Sequence, residues 1–333
     1  MKGERKKHES LSAIDLLERL RAWLIIEVSQ GDPSPNTLRS YLGSAKSYLL
    51  WCEASRINYI AATDRDLKRY RAHLVQNKYR RGTVATRLAG LKRLYAAFVD
   101  WGWREDNPAI GLKARKDPTS RSEKIISKYI PDREAFLDLY TIPDENTING
   151  KRDRAILRIL CYTGIRVGEL CALNKEDLRL GELPTLTIHA RKGRKRRHVP
   201  LGKEDAFIIQ DWLDLRSTIE GSDAESLFIS LDHRARGSRL STRGARNIVN
   251  KYLRAAGIKK PGRSCHALRH STATWLLEAG VPMQAIADLL GHSSVDVTAI
   301  YARVVDHRKY TPGDVLSRAI REALIRYQTN LAH

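Results

Sequence analysis

The sequence predicts a mainly α-helical protein with a small antiparallel β-sheet, organised in two domains. Helical periodicity fills the first third of the chain, and one short alternating segment with a glycine turn interrupts the helices of the second half. The length of 333 residues allows two domains, each with its own core.

The N-terminal domain is predicted to contain four helices. The first, in residues 11–28, places Leu16, Leu20 and Leu24 on one side, with Ser12 and Asp15 spaced as a capping box. The next three begin after Asn36 as N-cap, at Thr63 with Asp66, and at Gly82.

Basic residues cluster around the fourth helix, where they suit a surface that contacts DNA phosphates. An ordinary solvated helix face explains any single one of them equally well. The residues are Arg80, Arg81, Arg87, Lys92 and Arg93.

Residues 113–128 are charged and poor in apolar side chains, which is typical of an exposed linker. We therefore expect a helical domain in residues 10–112, a linker in 113–128, a second domain in 129–310 and a C-terminal tail helix in 311–333. An apolar stripe on the tail suits docking on a neighbouring protomer or on its own domain.

The second domain is predicted to start with a helix around residues 132–140, followed by an apolar helix that ends at Gly164. Leu186, Ile188 and Ala190 then alternate, and the pattern resumes after a turn at Gly193, which indicates a β-hairpin. Further helices follow in 203–215, 242–257 and 264–280.

The chain is strongly basic, with 59 Lys and Arg against 38 Asp and Glu and a formal charge of +21. Such an excess is typical of nucleic-acid binding, because Lys and Arg displace the counterions of phosphates. A membrane-surface protein and a generally soluble cationic fold are the alternatives. No segment has the apolar length of a membrane helix or the form of a signal peptide, so we expect a cytoplasmic protein without a membrane partner.

No cofactor or metal is expected. The four cysteines include no C-x-x-C pair, and the chain has no glycine-rich Walker loop. The cysteines are interpreted as small buried apolar residues.

Four local motifs carry groups that suit phosphate chemistry. In "HALRH", His266, Arg269 and His270 share a helical face, and such a group of donors suits an anion. The others are Arg166 with Glu169 in "TGIRVGEL", Lys192 in the basic hairpin, and His292 followed by Tyr301. Each has an ordinary structural explanation when it is taken alone.

Taken in order, these motifs resemble the active site of the tyrosine recombinases, the family of phage integrases and Xer recombinases. "TGIRVGEL" resembles the first-arginine box, "ARKGRKRRHVPL" the lysine hairpin, "HALRH" the H-x-L-R-H box and "LLGHSSVDVTAIYARV" the histidine and nucleophile segment. The resemblance covers nearly the whole chain and implies a helical core-binding (SAM-like) domain followed by a tyrosine recombinase catalytic domain. Arg191 departs from the pattern, because a glycine is common there.

The resemblance also implies a role for each motif residue. Tyr301 would attack the DNA phosphorus, Arg166 and Arg269 would bind the non-bridging oxygens, and His292 would add a hydrogen bond. His266 would accept the tyrosine proton and Lys192 would protonate the leaving 5′ oxygen, while Glu169 would support a neighbour.

Two further groups are expected outside these roles. His270 is expected to support packing or the DNA backbone. The remaining basic residues of the hairpin are expected to contact DNA: Arg191, Arg194, Lys195, Arg196 and Arg197.

We therefore expect a site-specific DNA recombinase for integration, excision or resolution, acting through a 3′-phosphotyrosyl intermediate without metal or ATP. Its expected partners are double-stranded DNA, further copies of the chain as a dimer on one site and a tetramer in the synapse, and accessory DNA-bending proteins. It would be associated with the nucleoid and be encoded by a prokaryote or by a mobile element. A type IB topoisomerase-like enzyme and a catalytically silent DNA-binding protein are the alternatives.

Overall fold

A computed structural model describes residues 12–115, 118, 123, 125, 127–189, 196–292, 294–295 and 298–302. The chain divides into two compact units, Met1–Pro118 and Thr119–His333. The described part of the first unit is helical, and that of the second combines helices with a three-stranded antiparallel sheet, which confirms the predicted fold class. No helix within these residues is long and apolar enough to cross a membrane.

The N-terminal unit contains the four predicted helices. Its apolar stripes are buried, including Leu16, Leu20 and Leu24 of the first helix, as their periodicity predicts. The helices are α1 (Ala13–Glu27), α2 (Pro35–Ala54), α3 (Asp64–Gln76) and α4 (Arg81–Asp100).

The predicted starts of these helices were right at α1 and α3 and wrong at α2. The Thr63 hydroxyl accepts the backbone N–H of Asp66, whose carboxylate accepts the N–H of Thr63, so α3 has the expected capping box. At α2 the N-cap is Ser34, whose Oγ accepts the N–H of Thr37 at 3.1 Å, and not Asn36. Pro35 at the first helical position explains the earlier start, because its ring fixes a helical φ and it has no N–H to satisfy.

A close contact between α2 and α4 organises the core of this unit. A Cβ at Gly90 would lie 2.4 Å from the Cβ of Ser44, so only glycine allows the two backbones to approach this closely. The Tyr48 and Tyr95 hydroxyls share a hydrogen bond of 2.6 Å across the interface. Neither buried hydroxyl is therefore left unsatisfied.

Among its described residues, the C-terminal unit contains seven α-helices with both ends defined, the helical residues 298–302 and the sheet. The predicted hairpin is present as β2 and β3, which pair with Leu186 opposite Val199, but Gly193 lies outside the described residues. The third strand, β1, was not predicted, because two residues are too few to show alternation. The elements are α5 (Arg133–Asp138), α6 (Ile148–Thr163), α7 (Val167–Leu170), β1 (Leu178–Arg179), β2 (Thr185–Ile188), β3 (Arg197–Pro200), α8 (Lys203–Ser217), α9 (Thr242–Ala255), α10 (Cys265–Glu278) and α11 (Met283–Leu290).

The buried helix α6 sets the position of α10. The hydroxyl of Thr272 on α10 donates to the backbone carbonyl of Cys161 on α6 at 2.7 Å. The helix α6 ends, as predicted, at Gly164, which adopts a left-handed φ of 59°. The hydrogen bond between Thr272 and Cys161 brings the first turn of α10 close to the segment that follows α6, where Arg166 lies.

Candidate active site

Arg166 lies in a tight turn between α6 and α7. The carboxylate of Glu169 accepts the backbone N–H of Arg166 at 2.9 Å and its guanidinium Nη1 at 3.1 Å. The side chain of Glu169 is buried, whereas a third of the Arg166 side chain is exposed. Glu169 therefore binds both the backbone N–H and the guanidinium of Arg166, and the guanidinium remains accessible to a ligand.

Arg269 is buried among backbone carbonyls at the ends of two helices. Its Nη1 donates to the carbonyl of Gly164 at 2.7 Å and its Nη2 to the carbonyl of Leu290 at 2.8 Å. Both carbonyls lie at helix C-termini, where the helix dipole places partial negative charge. These two bonds hold Arg269 beside the Arg166 turn and beside the end of α11.

The two arginines form a positively charged centre. Burial, and next the charge of Arg166, lower the pKa of Arg269 to about 10. Arg269 remains protonated at neutral pH, but its positive form is disfavoured by that neighbour. An anion bound between the two guanidinium groups would remove this repulsion, so the centre is suited to a phosphate.

The two histidines of α10 differ in their environments. Partial burial, and then the charges of Arg269 and Arg246, lower the pKa of His266 below its ordinary value. His270 instead shares a hydrogen bond of 3.0 Å between its Nδ1 and the Tyr301 hydroxyl. His270 was expected to support packing or the DNA backbone, so its contact with the tyrosine hydroxyl differs from the sequence-based expectation.

His292 follows the left-handed C-cap Gly291 of α11, where the predicted helix end is confirmed. Its Nδ1 is hydrogen-bonded to the hydroxyl of the fully buried Thr298 at 2.8 Å. The rings of His292 and Tyr301 are parallel within 8°, with centroids 6.3 Å apart. Thr298 therefore fixes the ring of His292 next to the candidate nucleophile.

Tyr301 lies in the helical residues 298–302, as predicted, and is 3% exposed. Its ring packs with a small apolar cluster that includes Ala273 and Leu290. Its hydroxyl is bonded to His270, so the oxygen lies at a polar edge of this cluster. The structure thus brings Arg166, Arg269 and Tyr301 into one region, although they lie far apart in the sequence.

Arg197 does not lie where the sequence suggested. It was expected to contact DNA with its basic neighbours, yet its side chain is 12% exposed and its Nη2 donates to Glu169 Oε2 at 2.9 Å. Arg196 is exposed, as a DNA-binding residue should be. Four other predicted residues of the hairpin lie outside the described residues: Arg191, Lys192, Arg194 and Lys195.

The basic residues near α4 are accessible to different degrees. Arg80, Arg81 and Arg93 are exposed, while Arg87 and Lys92 are half-buried. The guanidinium of Arg87 lies 4.0 Å from the centroid of the Tyr79 ring, which limits its freedom to reach a ligand.

Sequence reasoning missed Thr298 and the inward position of Arg197. Thr298 precedes Tyr301 by three residues in a helical segment, but only the turn at Gly291 brings His292 within reach of it. Arg197 stands in a run of basic residues that gives no indication of a single inward side chain. Among the described residues, no cluster of three or more His, Cys, Asp or Glu side chains could hold a metal ion.

Comparison with known proteins finds two family matches. Residues 132–308 match the phage integrase family, and residues 22–101 match the N-terminal SAM-like domain of phage integrases. The chain is 34% identical over 294 residues to tyrosine recombinase XerA of Thermococcus kodakarensis, covering 88% of this chain and 92% of that protein. It is also 34% identical over 299 residues to tyrosine recombinase XerC of Myxococcus xanthus, covering 87% and 93%.

Solved structures share the fold at lower identity. XerH recombinase bound to its difH substrate before cleavage has a TM-score of 0.68 at 17% identity, covering 89% of this chain and 95% of that one. A lambda integrase tetramer bound to a Holliday junction has a TM-score of 0.63 at 17% identity, covering 88% and 78%.

Proposed function

The chain belongs to the phage integrase family and is a tyrosine-type site-specific DNA recombinase, and we propose that Tyr301 is its nucleophile. Enzymes of this type cleave and rejoin DNA strands through a 3′-phosphotyrosyl intermediate. The observation that carries the assignment is the pair of hydrogen bonds from Arg269 to the carbonyls of Gly164 and Leu290. These bonds join the segment that carries Arg166 to the end of α11, which His292 follows.

The arginine pair suits the charge that develops on a phosphodiester under attack. Arg166 and Arg269 would bind the non-bridging oxygens, and His292 would donate a further hydrogen bond as the pentacoordinate transition state forms. Each lost donor would cost about 3 kcal/mol of transition-state stabilisation, as in other sites with oriented donors. Glu169 would keep Arg166 in the geometry that this binding needs.

The chemical step exchanges one phosphoester bond for another. The Tyr301 oxygen bonds to phosphorus while the bond to the 5′ oxygen breaks, and the bond energy stays in the phosphotyrosine. A 5′ hydroxyl from a partner strand then reverses the step. The tyrosine proton passes to His266, and the 5′ oxygen receives a proton from Lys192.

We expect His266 and His270 to have different roles at the Tyr301 hydroxyl. The lowered pKa of His266 favours the neutral imidazole, which is the form that can accept a proton. His270 would orient the Tyr301 hydroxyl, because the two are hydrogen-bonded at 3.0 Å. Since Tyr301 is almost fully buried, attack would require a shift of the segment in residues 298–302 or an approach of the phosphate over the polar edge at His270.

A trapping experiment tests the nucleophile. A nicked suicide substrate loses the fragment that carries its 5′ hydroxyl, so the wild-type chain should accumulate as a covalent complex with DNA attached at Tyr301. Tyr301→Phe keeps the buried ring and removes only the attacking oxygen, so it should fold normally and form no complex. Tyr162→Phe is the matched control, because Tyr162 is an exposed tyrosine of the same unit. A covalent complex that survives Tyr301→Phe would show that another residue attacks.

We further propose that the DNA partner is a duplex bound by a dimer at each site and by a tetramer in the synapse. Lambda integrase, which shares the fold, has been solved as a dimer on a core site and as a tetramer on a Holliday junction. Exposed residues near α4, among them Arg81 and Arg93, would bind the phosphate backbone. The same proposal includes accessory DNA-bending proteins as partners and a location at the nucleoid, within the cytoplasm.

A further inference from the structure

Arg197 occupies an unusual place for a residue in a basic hairpin. Its guanidinium donates through Nη2 to Glu169 Oε2 at 2.9 Å and through Nη1 to Glu169 Oε1 at 3.5 Å. Its Nε donates to the backbone carbonyl of Leu289 at 2.9 Å. All three guanidinium nitrogens therefore face protein acceptors.

The end of α11 accepts hydrogen bonds from the half-buried Arg197 and the buried Arg269. The carbonyl of Leu289 accepts from Arg197, and the next carbonyl, of Leu290, accepts from Arg269. A Cβ on the following Gly291 would lie 2.7 Å from Nη1 of Arg197, so the guanidinium occupies the space that any side chain at this position would need. Arg197 thus connects β3 to the segment that presents His292.

The charges around Glu169 suggest what this connection does. The Glu169 carboxylate is shared between Arg166 and Arg197, at 3.1 Å and 2.9 Å respectively. With Arg166 as its sole partner, this carboxylate would form a neutral pair and compete with a phosphate for the guanidinium. With Arg197 present, the group of three side chains retains one net positive charge.

We propose that Arg197 is a positioning residue, which balances the charge of Glu169 so that Arg166 keeps its positive charge and its orientation for the scissile phosphate. The proposal rests on the proposed function of Arg166. It assigns Arg197 a role in the cleavage step and none in the affinity for DNA. The alternative is the role expected from the sequence, a direct contact with a DNA phosphate.

The test compares two scissile groups in single-turnover cleavage of a suicide substrate by the full-length chain. One substrate carries the normal phosphodiester, and the other carries a methylphosphonate, in which a methyl group replaces one non-bridging oxygen and removes the negative charge. The variants are Arg197→Gln, Arg197→Lys, Glu169→Gln and the double variant Glu169→Gln/Arg197→Gln. Arg234→Gln, an exposed arginine of the same unit, is the control.

On the phosphodiester, we expect Arg197→Gln to slow cleavage by about a hundredfold, the scale of a misplaced active-site group. DNA affinity should be unchanged, and Arg197→Lys should recover part of the rate. On the neutral methylphosphonate, Arg197→Gln should slow cleavage much less relative to wild type, because the scissile group carries no negative charge for Arg166 to bind. The double variant should be faster than Arg197→Gln, because the uncompensated carboxylate is gone.

Four outcomes would overturn the proposal. Weaker DNA binding with normal cleavage at saturating protein would make Arg197 a DNA contact. An equal loss on both substrates, or a double variant as slow as the product of the two single effects, would make its role purely structural. Normal cleavage by Arg197→Gln would reject the proposal while the function of Tyr301 stands, whereas a wild-type chain that forms no covalent complex would reject the proposed function itself.

Discussion

Replacing Gly291 by alanine tests how closely the end of α11 is fitted to Arg197. Gly291 has a φ of +63°, and an added Cβ would lie 2.7 Å from Nη1 and 2.9 Å from Cζ of Arg197. The substitution therefore imposes backbone strain and also displaces a side chain held by Glu169 and Leu289. Gly257→Ala is a matched control, because Gly257 also follows a helix, has a φ of +69° and has open space around its Cβ position.

The two costs can be separated. A non-glycine residue in the left-handed region costs about 1 kcal/mol, and both variants carry this strain. Loss of hydrogen bonds to a charged group costs about 2 kcal/mol, and only Gly291→Ala carries this second cost. We therefore expect about 3 kcal/mol of destabilisation for Gly291→Ala and about 1 kcal/mol for Gly257→Ala.

Urea unfolding of the full-length variants measures the difference, provided that the dependence of the unfolding free energy on urea is unchanged. In an Arg197→Gln background, the additional cost of Gly291→Ala should largely vanish, because the clashing guanidinium is absent. Equal destabilisation by the two glycine substitutions would refute the reasoning. So would an additional cost at Gly291 that persists without Arg197.

Two further predictions concern charge and capping. Burial raises the pKa of Glu169, but the hydrogen bonds from the Arg197 side chain and the Arg166 backbone outweigh burial and hold the pKa below its ordinary value of 4.5. The Glu169 carboxylate therefore stabilises the folded state above pH 4.5, and this stabilisation is lost as the pH falls through the folded-state pKa. The difference in unfolding free energy between wild type and Glu169→Gln, measured by urea titration, should shrink in acid, and a constant difference from pH 7 to pH 3 would contradict the assignment. Thr63→Ala removes the N-cap hydroxyl of α3 and should destabilise the N-terminal unit by about 1 kcal/mol in thermal unfolding. Thr86→Ala, on an exposed face of α4, should have little effect, and equal losses at both positions would argue against the cap.

The outcomes at individual helices show why local patterns predict local structure. The stripe of Leu16, Leu20 and Leu24 is buried, because residues spaced by one helical turn must share a face. The ends of α6 and α11 at Gly164 and Gly291 follow from the freedom of glycine in the left-handed region. The start of α2 was misplaced at Asn36, because Pro35 has a fixed helical φ and the helix begins there with Ser34 as its N-cap.

The sequence likewise predicted some features of the candidate site and not others. The order of the motifs was enough to identify the family and to select the candidate catalytic residues, because each motif is a short segment with its own local geometry. The same segments did not indicate the partner of the Tyr301 hydroxyl, which is His270. Both histidines of "HALRH" lie on the same helical face, so spacing alone does not distinguish them.

The sequence by itself determined most of the helices, the helix ends at Gly164 and Gly291, the basic character of the chain and the set of candidate catalytic side chains. Only the tertiary structure decided that Arg269 is held by the carbonyls of Gly164 and Leu290, and that Arg197 turns inward to Glu169. The physical reason is that these bonds join groups up to 105 residues apart. Their acceptors are backbone carbonyls at helix ends, or a carboxylate already shared with another arginine, so their availability depends on how the helices pack and not on the identity of neighbouring residues.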